Sequence, residues 1–151
     1  MNADSTDWLL EPENTSVRYF TLKDLLDYSD KDSEAAEAKE AIRRSEKVLR
    51  IFGKQKPEGY WESAEQPYHP KYKSTYWQIM ILGQLGLDRG DERVRKACEY
   101  VFNLQHEMGG FSSYTSERAS EDYVLLKAKG RKLPDPEEWV SSRSLSINTR
   151  V

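Results

Sequence analysis

The sequence predicts an all-α protein built from αα-hairpins that repeat along the chain. Apolar residues between Ala38 and Phe52 recur at spacings of three and four, the pattern of a helix with one buried face. No segment alternates apolar and polar residues over the length of a strand. The chain also matches itself at a shift of 50 residues, which is typical of two-helix repeats.

The first two helices form the first predicted hairpin. Ser16 is predicted to cap a short helix that ends near Tyr28. A turn at 30–33 precedes the second helix, whose apolar stripe runs without interruption to Phe52. Pro57 ends this helix, because a residue that precedes proline is pushed out of the α region.

Two further helices form the second predicted hairpin. The third covers about 74–87 and is apolar on several sides, so we expect it to be buried on more than one face. Asp91 caps the fourth helix, which stops at Gly109 and Gly110. Short helices are also predicted over 123–129 and after Pro136.

We therefore expect one repeat domain over residues 16–143. Its hairpins cover about 16–61 and 74–112, with a degenerate third over 120–143. Residues 1–15 are predicted to be a flexible tail and residues 144–151 a frayed tail.

The composition of the chain restricts the kinds of partner and the cellular location that we expect. The chain has 151 residues and a net charge of −3 from 23 basic and 26 acidic residues mixed along it, so we expect no nucleic acid partner. The longest apolar run is 79–82, so no transmembrane segment is predicted. No secretory signal follows Met1, and Cys98 is the only cysteine, which together favour a reducing, cytoplasmic location.

The self-match carries a specific motif. At the shift of 50, three pairs of residues coincide: Gln55 with Gln105, Gly59 with Gly109, and Trp61 with Phe111. Glycine permits the turn that leaves the helix end. Glutamine can bond the unpaired backbone groups there, and the aromatic ring can fill the space between hairpins.

These residues resemble the "QW" motif of squalene and oxidosqualene cyclases and of protein prenyltransferase β-subunits. The resemblance covers about 16–112 and includes Lys96, Ala97, Tyr100 and Val101 before Gln105. The first copy departs from the pattern at Arg50, where an aromatic residue is expected, and the second has Phe111 in place of tryptophan.

The resemblance implies an α/α toroid, a closed ring of hairpins. This chain supplies too few hairpins to close such a ring and would form a partial, incomplete toroid. The open ends of an arc expose apolar helix faces, so we expect a homo-oligomer or a partner protein to cover them.

The catalytic motifs of those families are not found in the sequence. The cyclases use an aspartate-rich acid motif, and the nearest acid pairs here, Asp30 with Asp32 and Asp88 with Asp91, are predicted to cap helices. The prenyltransferases bind zinc, but Cys98 lies on an apolar helix face at no zinc-motif spacing from His106. We therefore predict no catalytic residue, metal or cofactor.

Aromatic residues concentrate between the hairpins. Six of the seventeen aromatic side chains lie in residues 60–77. Trp61 belongs to the repeat motif and is expected in the core. The candidate ligand-binding residues, for a sugar or an apolar ligand, are Tyr68, Tyr72, Tyr76 and Trp77. The alternative is that they only pack the linker.

The function predicted first is a non-catalytic or ligand-binding helical repeat module that assembles with itself or a partner. Two alternatives stay open. One is a terpenoid cyclase-like or prenyltransferase-like fragment acting on an isoprenoid, and the other is a fragment of a carbohydrate-active toroid.

Overall fold

Helices make up most of the chain that the structure, a computed structural model, describes: residues 5–105, 111–112, 127–132 and 144–145. This mostly helical content is consistent with the all-α class that the sequence predicts. The elements are α1 (Ser5–Leu9), α2 (Thr15–Phe20), a π-helical turn (Thr21–Leu25), α3 (Ser33–Arg44), α4 (Glu46–Phe52), α5 (Thr75–Gln84), α6 (Glu92–Phe102), β1 (Phe111–Ser112) and β2 (Ser144–Leu145).

Extended pairing in the described ranges is confined to a few residues near the second repeat motif. The strands β1 and β2 are antiparallel, with Phe111 opposite Leu145. Gln105 also forms an isolated antiparallel bridge with Phe111. The sequence predicted neither pairing, because two-residue strands leave no periodic signal. At Ser144 and Leu145 the chain is therefore paired, whereas the sequence predicts a frayed tail.

The N-terminal region differs from the prediction in two places. Residues 5–9 are helical within the predicted tail, and Trp8 is 63% exposed. Asn14, not Ser16, occupies the N-cap position of α2. The Ser16 hydroxyl instead donates to the Leu85 carbonyl oxygen at 2.7 Å, so this serine ties α2 to the end of α5.

The predicted single helix up to Phe52 is wrong, because the chain breaks at Ser45. This residue is extended (φ −63°, ψ 143°) and separates α3 from α4. Its hydroxyl donates to the Ile42 carbonyl oxygen at 2.8 Å and accepts from the Val48 amide at 3.4 Å. Ser45 thus serves as the N-cap of α4. Buried residues continue on both sides of the break, which explains the unbroken stripe in the sequence.

The chain divides into two compact units. Unit 1 comprises residues 1–54 and 80–95, and unit 2 comprises residues 55–79 and 96–151. Helices α5 and α6 each contribute residues to both units.

The core of unit 1 forms where α2 and the π-helical turn pack on α3. Its buried apolar side chains are Tyr19, Leu22, Ala35, Ala38, Ile42, Val48, Phe52, Leu82, Leu87 and Val94. Gly86 has φ +98°, and a Cβ there would lie 3.0 Å from Ile42 Cδ1 and 3.2 Å from Tyr19 Cδ1. The turn after α5 therefore approaches this core too closely for a larger residue.

The core of unit 2 centres on Trp61, which is 1% exposed. Its backbone amide donates to Thr75 Oγ1 at 3.0 Å, and the Thr75 hydroxyl donates to the Trp61 carbonyl oxygen at 3.4 Å. These bonds fix the aromatic residue of the first repeat motif to the start of α5. Among the described residues of this unit, the other buried side chains are Pro67, Ser74, Thr75, Tyr76, Gln78 and Ala97.

Most of the predicted third hairpin, 120–143, lies outside the described residues. Within it, the structure describes residues 127–132, where two helical residues precede a turn. Gly109 of the second motif also lies outside the described residues.

Candidate functional site

The first repeat motif forms a tight turn in unit 2. The Gly59 amide donates to the Lys56 carbonyl oxygen at 2.9 Å, and the Lys56 amide donates to the Tyr60 carbonyl oxygen at 2.8 Å. The Gln55 side-chain amide donates to the Gly59 carbonyl oxygen at 3.2 Å. Gly59 has φ +104°, a conformation that glycine adopts without strain. The glycine therefore permits the turn, as its residue type predicts, and the glutamine bonds the carbonyl oxygen of that glycine within the turn.

In the second motif, the described residues are Gln105 and Phe111. They form the antiparallel bridge noted above. The Phe111 ring lies 6.3 Å from that of Phe102, between centroids. Trp61 is buried, as the sequence predicts, whereas Phe111 is only half-buried.

Three of the four candidate ligand-binding residues form one aromatic cluster, which we call the Trp77 platform: Tyr68, Tyr72 and Trp77. The Trp77 ring centroid lies 5.4 Å from that of Tyr68 and 4.7 Å from that of Tyr72. The interplanar angles are 48° and 52°, so the rings meet obliquely. Trp77 is half-buried, and Tyr72 is 67% exposed.

Helix α5 holds both tyrosines of the platform through their backbone. Trp77 Nε1 donates to the Tyr68 carbonyl oxygen at 3.0 Å. Gln78 Nε2, on a buried side chain, donates to the Tyr72 carbonyl oxygen at 2.6 Å. Tyr72 has φ +65°, which costs a residue with a side chain roughly 1–2 kcal/mol. The structure thus holds an exposed aromatic ring on a strained backbone.

The fourth candidate, Tyr76, lies elsewhere. It is 6% exposed, and burial raises the pKa of its phenol to about 12. Its ring belongs to the interior of unit 2 and not to the platform. Sequence spacing alone could not show that Tyr76 is buried and Tyr72 exposed. Tyr72 precedes the first residue of α5 and Tyr76 follows it, and spacing does not place that boundary.

A second aromatic pair in unit 2 was not singled out from the sequence. The Tyr60 and Tyr100 ring centroids lie 5.2 Å apart. The Tyr100 hydroxyl donates to the Ala64 carbonyl oxygen at 2.7 Å, and burial raises the pKa of this tyrosine. In the sequence, Tyr100 is distinguished only by its place in the repeat motif. Its contacts depend on the path of residues 60–64, which sequence periodicity does not describe.

The predicted capping role of the acidic pairs is confirmed for Asp91. Its carboxylate accepts from the Arg93 backbone amide at 2.9 Å and from the Arg93 guanidinium at 2.7 Å and 3.0 Å. The guanidinium holds the pKa of Asp91 below its usual range. Asp88 accepts from the Gly90 amide at 2.8 Å and pairs with Lys39 at 2.5 Å.

The other pair does not cap a helix through its side chains. Asp30 accepts from Lys23 Nζ at 3.0 Å and from the Tyr19 hydroxyl at 2.9 Å. Asp32 stands at the N-cap position of α3, but its carboxylate accepts from the amide and hydroxyl of Ser29 instead. Each of these carboxylates therefore has a local structural partner.

The metal and thiol candidates can be placed in the described part of the chain. Cys98 is half-buried on α6, and burial raises the pKa of its thiol, which disfavours the thiolate. Over the described ranges, no group of three or more His, Cys, Asp or Glu side chains is arranged to hold a metal ion. His106 lies outside those ranges.

An apolar groove opens on unit 1, and we call it the Val17 groove. It has a volume of about 450 Å³ and is lined by Leu9, Ser16, Val17, Phe20, Thr21, Leu25 and Gln84. Val17 is 43% exposed and Leu25 60% exposed. None of the lining side chains is ionisable. Sequence reasoning missed this groove, because it depends on the π-helical turn that follows α2.

Comparisons with known proteins give no relative: no family model matches the chain, and no curated protein or solved structure is significantly similar to it. Among the described helices, none is long and apolar enough to span a membrane.

Proposed function

We propose that the chain is a non-catalytic helical repeat module that associates with a second copy of itself through the Val17 groove. In this proposal the hairpins form an arc of the α/α toroid type, like the repeats of squalene cyclases and protein prenyltransferases. The proposed self-association rests on one observation, the exposed and uncharged lining of the Val17 groove.

The two repeat motifs support the repeat architecture. In the first, the chain reverses between Gln55 and Trp61 through a turn closed by the bond from Lys56 to Tyr60. In the second, the equivalent residues Gln105 and Phe111 lie opposite each other in an antiparallel bridge. Both motifs therefore bring backbone at or next to the glutamine close to backbone at or next to the aromatic residue six positions later.

The roles of the carboxylates favour a module without chemistry of its own. General acid catalysis of the cyclase type needs a carboxyl group that can give up a proton inside an apolar cavity. Asp30 and Asp88 instead pair with Lys23 and Lys39, and both aspartates have lowered pKa values because of these partners. These groups are held ionised in ion pairs.

The Val17 groove fits a second copy of this chain better than a charged partner. Exposed apolar surface favours association, since burial releases about 25 cal/mol per Å². In a two-fold symmetric contact the same patch lies on both sides, so a charged residue close to the symmetry axis faces a like charge. The lining of this groove is uncharged, and self-contact therefore brings no like charges together.

The test is the association state of two matched variants. Leu25→Lys places a charge in the groove at a residue that is 60% exposed, so the monomer should still fold. Leu49→Lys places the same charge on α4, at a residue that is 50% exposed and outside the groove. In sedimentation velocity, we expect Leu25→Lys to lose the dimer and Leu49→Lys to keep it. Equal behaviour of the two variants would contradict the proposal.

A ligand screen distinguishes this function from the enzyme alternative. In a thermal shift assay, we expect isoprenoid diphosphates to leave the melting temperature of the chain unchanged. Stabilisation by such a compound that grows with its concentration would favour the terpenoid enzyme alternative.

A further inference from the structure

The Trp77 platform, which the self-association of unit 1 does not use, combines features that a purely structural cluster does not require. Its most exposed member, Tyr72, has the positive φ described above. Burial of the ring does not offset this strain, because two thirds of the residue stays exposed. Strained residues held by surrounding structure are concentrated at functional sites.

The hydrogen bonds of the platform hold it in place before any ligand binds. Trp77 and Gln78 on α5 bond the carbonyl oxygens of Tyr68 and Tyr72. The Tyr72 ring therefore lies against the indole without a ligand. A preorganised aromatic surface loses little conformational entropy on binding, which favours a ligand with a flat, weakly polar face.

The charge around the platform selects the kind of ligand. Lys71 and Lys73 flank Tyr72 in the sequence, and both are exposed. Residues 66–87 contain no aspartate or glutamate, although the whole chain has a net charge of −3. The most exposed residue of the platform therefore lies between two cationic residues in the sequence, which favours an anionic ligand over a neutral or cationic one.

We propose that the Trp77 platform binds an acidic oligosaccharide, with a sugar ring stacked on Tyr72 and a uronate carboxylate paired with Lys71 or Lys73. The C–H face of a pyranose matches an exposed tyrosine ring, and the carboxylate supplies the charge complementary to the lysines.

Single-stranded nucleic acid is the competing anionic ligand with flat rings. It is disfavoured because a phosphate backbone needs a continuous track of cations, and this sequence has no basic stripe.

The first test is titration of the full chain with oligogalacturonate, followed by calorimetry and by tryptophan fluorescence. We expect Tyr72→Ala to weaken binding by roughly tenfold or more, and Tyr72→Phe to retain it. Trp8→Ala is the matched control, because it also removes an aromatic ring that is more than 60% exposed, from unit 1. It should bind as the parent chain does. Circular dichroism establishes that each variant is folded.

The second test concerns the charge. We expect the double variant Lys71→Gln and Lys73→Gln to lose the preference for oligogalacturonate over a neutral maltooligosaccharide of equal length. Three results would overturn the proposal: no binding of oligogalacturonate by the folded chain, equal binding by Tyr72→Ala, or binding of single-stranded DNA in preference to the sugar. None of them bears on the Leu25→Lys test of self-association, so the two proposals fail independently.

Discussion

Gly59 lies directly against the backbone of Lys96. A Cβ atom built on Gly59 would stand 2.8 Å from the Lys96 carbonyl oxygen and 3.0 Å from its carbonyl carbon. Gly59 also has φ +104°. Two features therefore require glycine at this position of the first repeat motif: its backbone conformation and the close approach of α6 within unit 2.

Gly59→Ala should lower the free energy of unfolding by about 2–3 kcal/mol, because alanine is strained at this φ and its methyl group meets backbone atoms. Urea denaturation monitored by circular dichroism measures the change. Gly83→Ala is the control: Gly83 lies inside α5 with nothing within 4 Å of the added Cβ. Helix propensity predicts that this variant is about 0.5–1 kcal/mol more stable than the parent. Similar effects at the two glycines would contradict the role given to Gly59.

Trp61→Ala should lower the free energy of unfolding by about 3–5 kcal/mol, because the ring is 1% exposed and its removal leaves a large cavity. Trp8→Ala removes the same side chain at a residue that is 63% exposed, and it should change stability by less than about 0.5 kcal/mol. Chemical denaturation of both variants tests the contrast. A small effect at Trp61 would show that the aromatic residue of the motif does not hold unit 2 together.

Ser45→Ala should destabilise the chain by about 1 kcal/mol, since it removes the side-chain cap of α4. Ser45→Asp retains a capping oxygen and should preserve more of the stability. Thermal unfolding of the two variants beside the parent provides the measurement. If the Ser45→Ala variant were as stable as the parent chain, the Ser45 hydroxyl would not stabilise the break between α3 and α4.

Asp91→Asn should destabilise the chain at neutral pH by about 1–3 kcal/mol, because it removes the charge that pairs with Arg93 at the start of α6. The folded-state pKa of Asp91 is lowered, so its contribution to stability is present above the unfolded-state pKa of about 4. That contribution is lost as the pH falls through the folded-state pKa. The difference between parent and variant should therefore be full at pH 7 and shrink below pH 4.

Unfolding free energies at pH 7, 4 and 2.5 test this dependence. Glu92→Gln provides the control, because Glu92 is exposed and contacts Arg95 only at 3.9 Å. It should change stability by less than about 0.5 kcal/mol at pH 7. A difference for Asp91→Asn that stayed constant with pH would contradict the ion pair.

The sequence predicted the helices better than their interruptions. The stripe from Ala38 to Phe52 identifies buried positions, and Ala38, Ile42, Val48 and Phe52 are all buried. Periodicity could not place the break at Ser45, because one extended residue leaves buried positions on both sides. The π-helical turn at Thr21–Leu25 could not be predicted from periodicity either, since it changes which residues face outward but leaves the composition of the segment unchanged.

The candidate surfaces, like the helices, could be predicted from the sequence only in part. The sequence selected Tyr68, Tyr72, Tyr76 and Trp77 together, and the structure brings three of them into one cluster and buries Tyr76. Which tyrosine remains exposed depends on the φ of Tyr72 and on its bond from Gln78. Neither is encoded in residue spacing. The Val17 groove depends in the same way on how α2 meets the end of α5.

The central functional claim is that the chain associates with itself, and sedimentation equilibrium of the unmodified chain tests it most directly. The chain mass is 17.6 kDa. As the concentration rises from micromolar to millimolar, we predict that the weight-average mass increases from this value toward twice this value. A mass that stays at that of the single chain over the whole range would contradict the account.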